Sequence, residues 1–260
     1  MESDDIDHDS EPYVVVESMA DHVATVRLRR PPNNFFSVAM IRELADALEA
    51  VDADDDARVV VLAADGKHFC AGADFAAPRT DSTGELYREA TRLFTTRKPI
   101  VAAIQGAAVG GGLGLALAAD FRIGAPEARL SANFARLGFH QGFGLSVTLP
   151  RLVGNQRAAE LLYTGRRVGG DEAARIGLLD DVVPLSVLHE SARGLAAEIA
   201  GSAPLAVESI RATLRAGLAD EIRSATAHEA TEQGRLRGTD DFREGTAAMA
   251  ERRPPVFRRR

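Results

Sequence analysis

The stretch Lys98-Pro-Ile-Val-Ala-Ala-Ile-Gln-Gly-Ala-Ala-Val-Gly110-Gly-Gly-Leu-Gly-Leu-Ala-Leu-Ala-Ala-Asp120 decides how this chain folds. Pro99 can open a strand, and the apolar run Ile100 to Ile104 has the length a buried strand needs. Gly110, Gly111 and Gly112 then read as a loop feeding a helix of small residues. Consecutive glycines ahead of a helix let the backbone approach a ligand closely and leave N–H groups unpaired and pointing outward. Such a place stabilises negative charge.

A second loop of the same kind lies upstream, where Gly66-Lys-His-Phe-Cys-Ala71-Gly-Ala-Asp-Phe75 follows the strand-like Arg58-Val-Val-Val-Leu-Ala-Ala64. Ala73 here and Gly111 in the glycine run can each supply one amide to the same oxygen. Two amides aimed at an oxygen that becomes negative form an oxyanion hole. In this order and spacing the pair of motifs resembles the enoyl-CoA hydratase/isomerase, or crotonase, family, from about Tyr13 to the C-terminus. The resemblance implies a thioester enolate held by those two amides. It also implies an α/β fold, a crotonase-like spiral of strand-strand-helix units with a C-terminal helical region, and a homotrimer or a dimer of trimers.

Tyr13 to Glu17 and His22 to Leu28 read as paired strands, and Ser37 as the N-cap of a helix whose apolar face is Met40, Ile41, Leu44, Leu48 and Val51. Alternation of strands and helices argues for a mostly parallel sheet. Phe121 to Gly124, Ala128 to Ser131 and Asp181 to Val183 read as short strands. Helices are expected over residues 85–95, 156–163, 170–176, 185–200, 204–216 and 220–237, with Ser202 capping the one that Pro204 opens. The chain divides into an acidic tail at 1–11, expected to be disordered, an α/β core at 12–200 and a helical trimerisation region at 201–260.

Composition narrows the function. Hydrophobic residues at 45% and charged residues at 27% fit a soluble globular protein. The net charge of −7 gives no electrostatic footprint for nucleic acid. No apolar run is long enough to span a bilayer, and the acidic N-terminus lacks the features of a signal peptide, so the expectation is a cytoplasmic protein. Cys70 is the single cysteine, which excludes an intrachain disulfide and a cysteine metal cage. No metal or redox cofactor is indicated, and a coenzyme A thioester is the substrate the resemblance implies.

The chemistry is less ordinary. In the hydratases two glutamates hold the water and move its protons; the matching positions here are Gly114 and Phe134. The acid of the family's double-bond-shifting branch falls on Gly142 and is absent too. In the segment from Leu137 to Gly144, His140 is the natural replacement base, histidine being the residue type whose charge changes near neutral pH, with Gln141 orienting a water. His68 is a weaker candidate, and Asp74 and Asp120 read as structural caps. By the resemblance, the adenine of CoA lies near Arg30, Asn33 and Phe35, and its pantetheine runs along Ala71, Asp74 and Phe75. Lys67, Arg79 and the C-terminal arginines are candidates for the phosphates. The alternatives are a protein that binds acyl-CoA without chemistry, or a thioester hydrolase or decarboxylase.

Overall fold

A computed structural model describes residues 12–17, 19–74 and 82–260. The expectations for 1–11, Phe75 and Arg79 therefore lie outside the described residues. In chain order the strands are β1 (Val14–Val16), β2 (Val23–Leu28), β3 (Val59–Ala64), β4 (Ile100–Ile104), β5 (Ala107–Val109), β6 (Phe121–Gly124), β7 (Arg129–Ser131), β8 (Val168–Gly169) and β9 (Asp181–Val182). The helices are α1 (Val38–Ala53), α2 (Thr83–Arg92), α3 (Gly111–Ala116), α4 (Leu145–Thr164), α5 (Gly170–Arg175), α6 (Leu188–Ala200), α7 (Pro204–Leu214), α8 (Leu218–Arg237) and α9 (Asp240–Ala250), with a 3-10 turn at Asn133–Leu137.

The main sheet runs β1-β2-β3-β4-β6-β9, with β1 antiparallel to β2 and every other neighbour parallel. Period-two side chains explain why both faces are covered. Val59, Val61, Val101 and Ala103 meet Leu188, Ala192 and Ala196 of α6 on one face, while Val60, Leu62, Ile100, Ala102 and Ile104 enter the larger core on the other. A second sheet, β5-β7-β8, continues the chain beyond β4. Ser37 caps α1 as expected, its hydroxyl accepting the Met40 N–H at 3.2 Å.

Three expectations change. The helix expected at 156–163 is present, but a further helix, not foreseen, precedes it from Leu145, and the two meet at a corner at Gly154, whose φ of 76° only glycine adopts readily. Ser202 does not cap α7, whose N-cap is Ala203, with Pro204 in its first turn and no side-chain cap. Helix α9 was not foreseen, although Thr239 accepts the Phe242 N–H and Asp240 and Asp241 occupy the first turn. Asp120 is structural, accepting from the Ile100 N–H at 2.8 Å, Arg211 Nε at 2.9 Å and Arg215 Nη1 at 2.7 Å, so that α7 is tied to the sheet.

Candidate active site

Backbone pairing draws the two loops together. The Cys70 N–H donates to Ala107 O and the Val109 N–H to Cys70 O, at 3.0 and 3.1 Å. A side chain at Gly112 would collide with the Cys70 carbonyl, and one at Gly111 would lie 2.5 Å from the Phe36 ring. Glycine is required there by close approach. Asn34, fully buried, anchors the first loop by donating to the Asp65 and His68 carbonyls and accepting the Arg30 N–H. Its neighbour Asn33 contributes only a carbonyl, to the Ala71 N–H at 2.9 Å.

As a result Ala73 and Gly111 line one cavity of about 2000 Å³, twice the upper range for a drug-sized ligand. Neither amide donates to an acceptor among the described residues. The arrangement can therefore receive an oxygen that carries negative charge. Arg30, Phe35, Ala71, Asp74, Phe134, Leu137 and Gly142 line the same cavity, whereas Asn33, Gly114, His140 and Gln141 do not.

Neither candidate histidine is among the residues that line the cavity. His140 packs edge-on against His228 of α8 at 5.7 Å, and its Nδ1 lies 2.9 Å from the Gln141 carbonyl. Gln141 donates to Ser146 Oγ instead of orienting a water in the cavity. Side-chain direction in a glycine-rich loop is not encoded by spacing. His68 uses Nδ1 to accept the Ala107 N–H at 3.0 Å, and burial lowers its pKa, with the Lys67 charge adding to the effect. Burial alone pushes the Cys70 thiol up to about 12 against the pull of two backbone N–H groups, so it is inert near neutrality.

Phenylalanine fills the space where carboxylates were sought. A Cβ at Gly114 would lie 2.6 Å from Phe143 Cβ, and the Phe143 ring packs on Phe36 with centroids 5.7 Å apart. Phe134 is 6% exposed, reaches toward Gly110 and stacks on Phe139, which in turn meets Phe242 of α9. Phe143 itself has φ 61°, a strained value for a bulky side chain. Glu229 of α8 holds that corner, accepting from the N–H groups of Gly144 and Ser146 and from Ser146 Oγ at 2.9, 3.1 and 2.6 Å. Among the described lining residues, Asp74 and Tyr87 are the only ones besides the arginines with an ionisable side chain.

The mouth of the cavity is basic. Arg30 lies 5.6 Å over the Tyr13 ring, and Arg136 donates to the Thr164 carbonyl. Arg167 and Arg252 have no carboxylate partner among the described residues, whereas Arg166 is paired with Glu160 and Glu172, and Arg253 with Glu244 and Glu251. Lys67 and Arg258 to Arg260 do not line the cavity; the backbone N–H groups of Arg258 and Arg259 bind Asp241. No group of three or more metal-ligating His, Cys, Asp or Glu side chains occurs among the described residues, and none of their helices is long and apolar enough to cross a membrane.

A parallel sheet whose neighbouring strand-to-helix loops turn free amides into one cavity defines an α/β protein able to hold a polarised oxygen. The chain belongs to the enoyl-CoA hydratase/isomerase family, whose model matches residues 18–260. It is 35% identical to the (E)-benzylidenesuccinyl-CoA hydratase of Thauera aromatica, over 94% of this chain and 98% of that protein. It is 34% identical to the crotonyl-CoA hydratase of Syntrophomonas wolfei, over 94% and 97%. The crystal structure of an enoyl-CoA hydratase/isomerase from Pseudoalteromonas atlantica superposes with a TM-score of 0.85 at 29% identity, covering 95% of this chain and all of that one. The fold is therefore the crotonase fold and the chain is an acyl-CoA enzyme of that family.

Proposed function

We propose that this protein binds an acyl-CoA thioester in the large cavity and stabilises its enolate through the Ala73 and Gly111 amides, with no other cofactor. The observation that carries this reading is that both amides line the cavity and neither is used by the protein. In this reading the cavity-lining Arg30, Arg136, Arg167 and Arg252 meet the phosphates of CoA, while Arg253, held by its glutamates, contributes less. The missing carboxylates at Gly114 and Phe134 weigh against efficient hydration and toward another fate for the enolate, including decarboxylation or thioester hydrolysis.

Calorimetry with a non-reactive acyl-CoA analogue tests the reading. Micromolar binding is expected, and no binding at millimolar ligand would sink it. We further propose a cytoplasmic homotrimer or hexamer, supported by Leu205, Ile210 and Leu214 of α7, which are 80%, 60% and 78% exposed in the single chain. A stable monomer by light scattering at micromolar concentration would exclude that assembly.

A further inference from the structure

Helix α8 turns an unusual stripe inward. Glu229, Gln233 and Arg237 are spaced four apart and so share one face, the spacing at which an amphipathic helix buries apolar groups. Glu229 is accounted for by the α4 N-terminus it caps. Gln233 and Arg237 instead line the cavity together with Tyr87 of α2.

Arg237 and Gln233 are hydrogen-bonded to each other, and the Tyr87 hydroxyl packs beside Gln233 at Gly142. Arg237 donates to Thr83 Oγ1 at 2.7 Å and to Gln233 Oε1 at 3.3 Å, and its guanidinium covers the Phe139 ring at 5.7 Å. Gln233 Nε2 donates to the His140 carbonyl at 3.0 Å, which fixes the orientation of its amide. Tyr87 is only 7% exposed, and its hydroxyl sits where a side chain at Gly142 would be. The Gln233 amide lies beside that hydroxyl at Gly142. No described residue accepts the hydrogen of the Tyr87 hydroxyl.

A buried hydroxyl without an acceptor is costly unless a ligand or water completes it. Burial, reinforced by the Glu229 charge, raises the phenol above its ordinary pKa, so it remains a donor across the working pH range. The hydroxyl meets Gly142, next in sequence to Phe143, whose ring packs beside Gly111.

Resting on the acyl-CoA reading above, we infer that the substrate's acyl group carries a hydrogen-bond-accepting oxygen beyond the reacting carbons, recognised by the Tyr87 hydroxyl. Gln233 and Arg237 position that hydroxyl, and the phenylalanine walls around it exclude competing water. The shared chemistry is an oxygen acceptor, as a ketone or a carboxylate.

The test is calorimetry with ω-oxo, ω-carboxy and plain alkyl acyl-CoAs of four to eight carbons. At one chain length an oxygenated thioester is expected to bind about tenfold more tightly than the alkyl thioester, the size of one hydrogen bond. The ketone and carboxylate arms identify which acceptor is used. Tyr87→Phe should abolish the difference while leaving alkyl binding and the melting temperature unchanged. Gly142→Ala, which displaces the hydroxyl without deleting it, should abolish it as well. Equal binding of all three classes by the unmodified protein, or a preference that survives Tyr87→Phe, would overturn the inference and leave the acyl-CoA reading standing. Failure of every thioester to bind would overturn both.

Discussion

Nδ1 of His68 can hold the Ala107 N–H only while it carries no proton. Its pKa in the folded protein is lowered, first by burial and then by Lys67, whereas in the unfolded chain it lies near ~6.5. Below that value the unfolded state binds more protons than the folded one, so this contribution is complete above pH ~6.5 and is lost as pH falls toward the folded pKa. His68→Asn keeps an acceptor for the amide and removes the titration. Urea midpoints measured from pH 7.5 to pH 5.5 should therefore fall less for that variant than for the parent. His189, also lowered by burial, titrates in both proteins and cancels in the comparison. Parallel loss in the two proteins would show that the loops are not held by this bond. The glycines at 111 and 112 could be read from sequence because close approach leaves a mark in residue type. The direction in which His140 points leaves none.

At the scale of elements, most strands and helices were legible because burial imposes periods of two and 3.6 on the residues. The α1 face from Met40 to Val51 is buried as expected. What escaped were the short strands β5 and β8, made of two or three residues, helix α9 and the inward polar stripe of α8. Polar residues four apart ordinarily mark a solvated face, and only tertiary packing reverses that meaning. Glu229 gives the stripe a measurable weight. It is fully buried and satisfies two backbone donors at the strained Phe143–Gly144 corner. Glu229→Ala leaves those donors unpaired, at about 1–3 kcal/mol each, and should lower the melting temperature by roughly 5–15 °C. Glu229→Gln retains one acceptor oxygen and should lose about half as much. Thermal unfolding of both variants checks this; an alanine variant as stable as the parent would mean that the corner does not depend on the carboxylate.

Over the whole molecule, the sheet carries two loops far apart in sequence to one cavity, and three later elements close it: the 3-10 turn, α8 and α9. On the proposed reading, the amide half of an acyl-CoA site is thereby retained while the half that handles water is filled with rings. Hydration needs a carboxylate-like base beside the bound enoyl group, and a positioned acid or base contributes about 10²–10⁴-fold. The Phe143 side chain occupies the space next to Gly114, and Phe134 packs toward Gly110. Crotonyl-CoA should accordingly be hydrated slowly, followed by loss of the enoyl absorbance. Gly114→Glu should not rescue the reaction, because its Cβ would already be 2.6 Å from Phe143 Cβ and the overpacking costs about 1–3 kcal/mol. His140→Ala should leave any residual rate unchanged, since that ring faces His228 outside the cavity lining. Turnover above about 10² s⁻¹, within the range of an efficient enzyme, would show that a lining carboxylate, Asp74, supplies the missing base. A fall in rate with His140→Ala would place that histidine in the reaction after all.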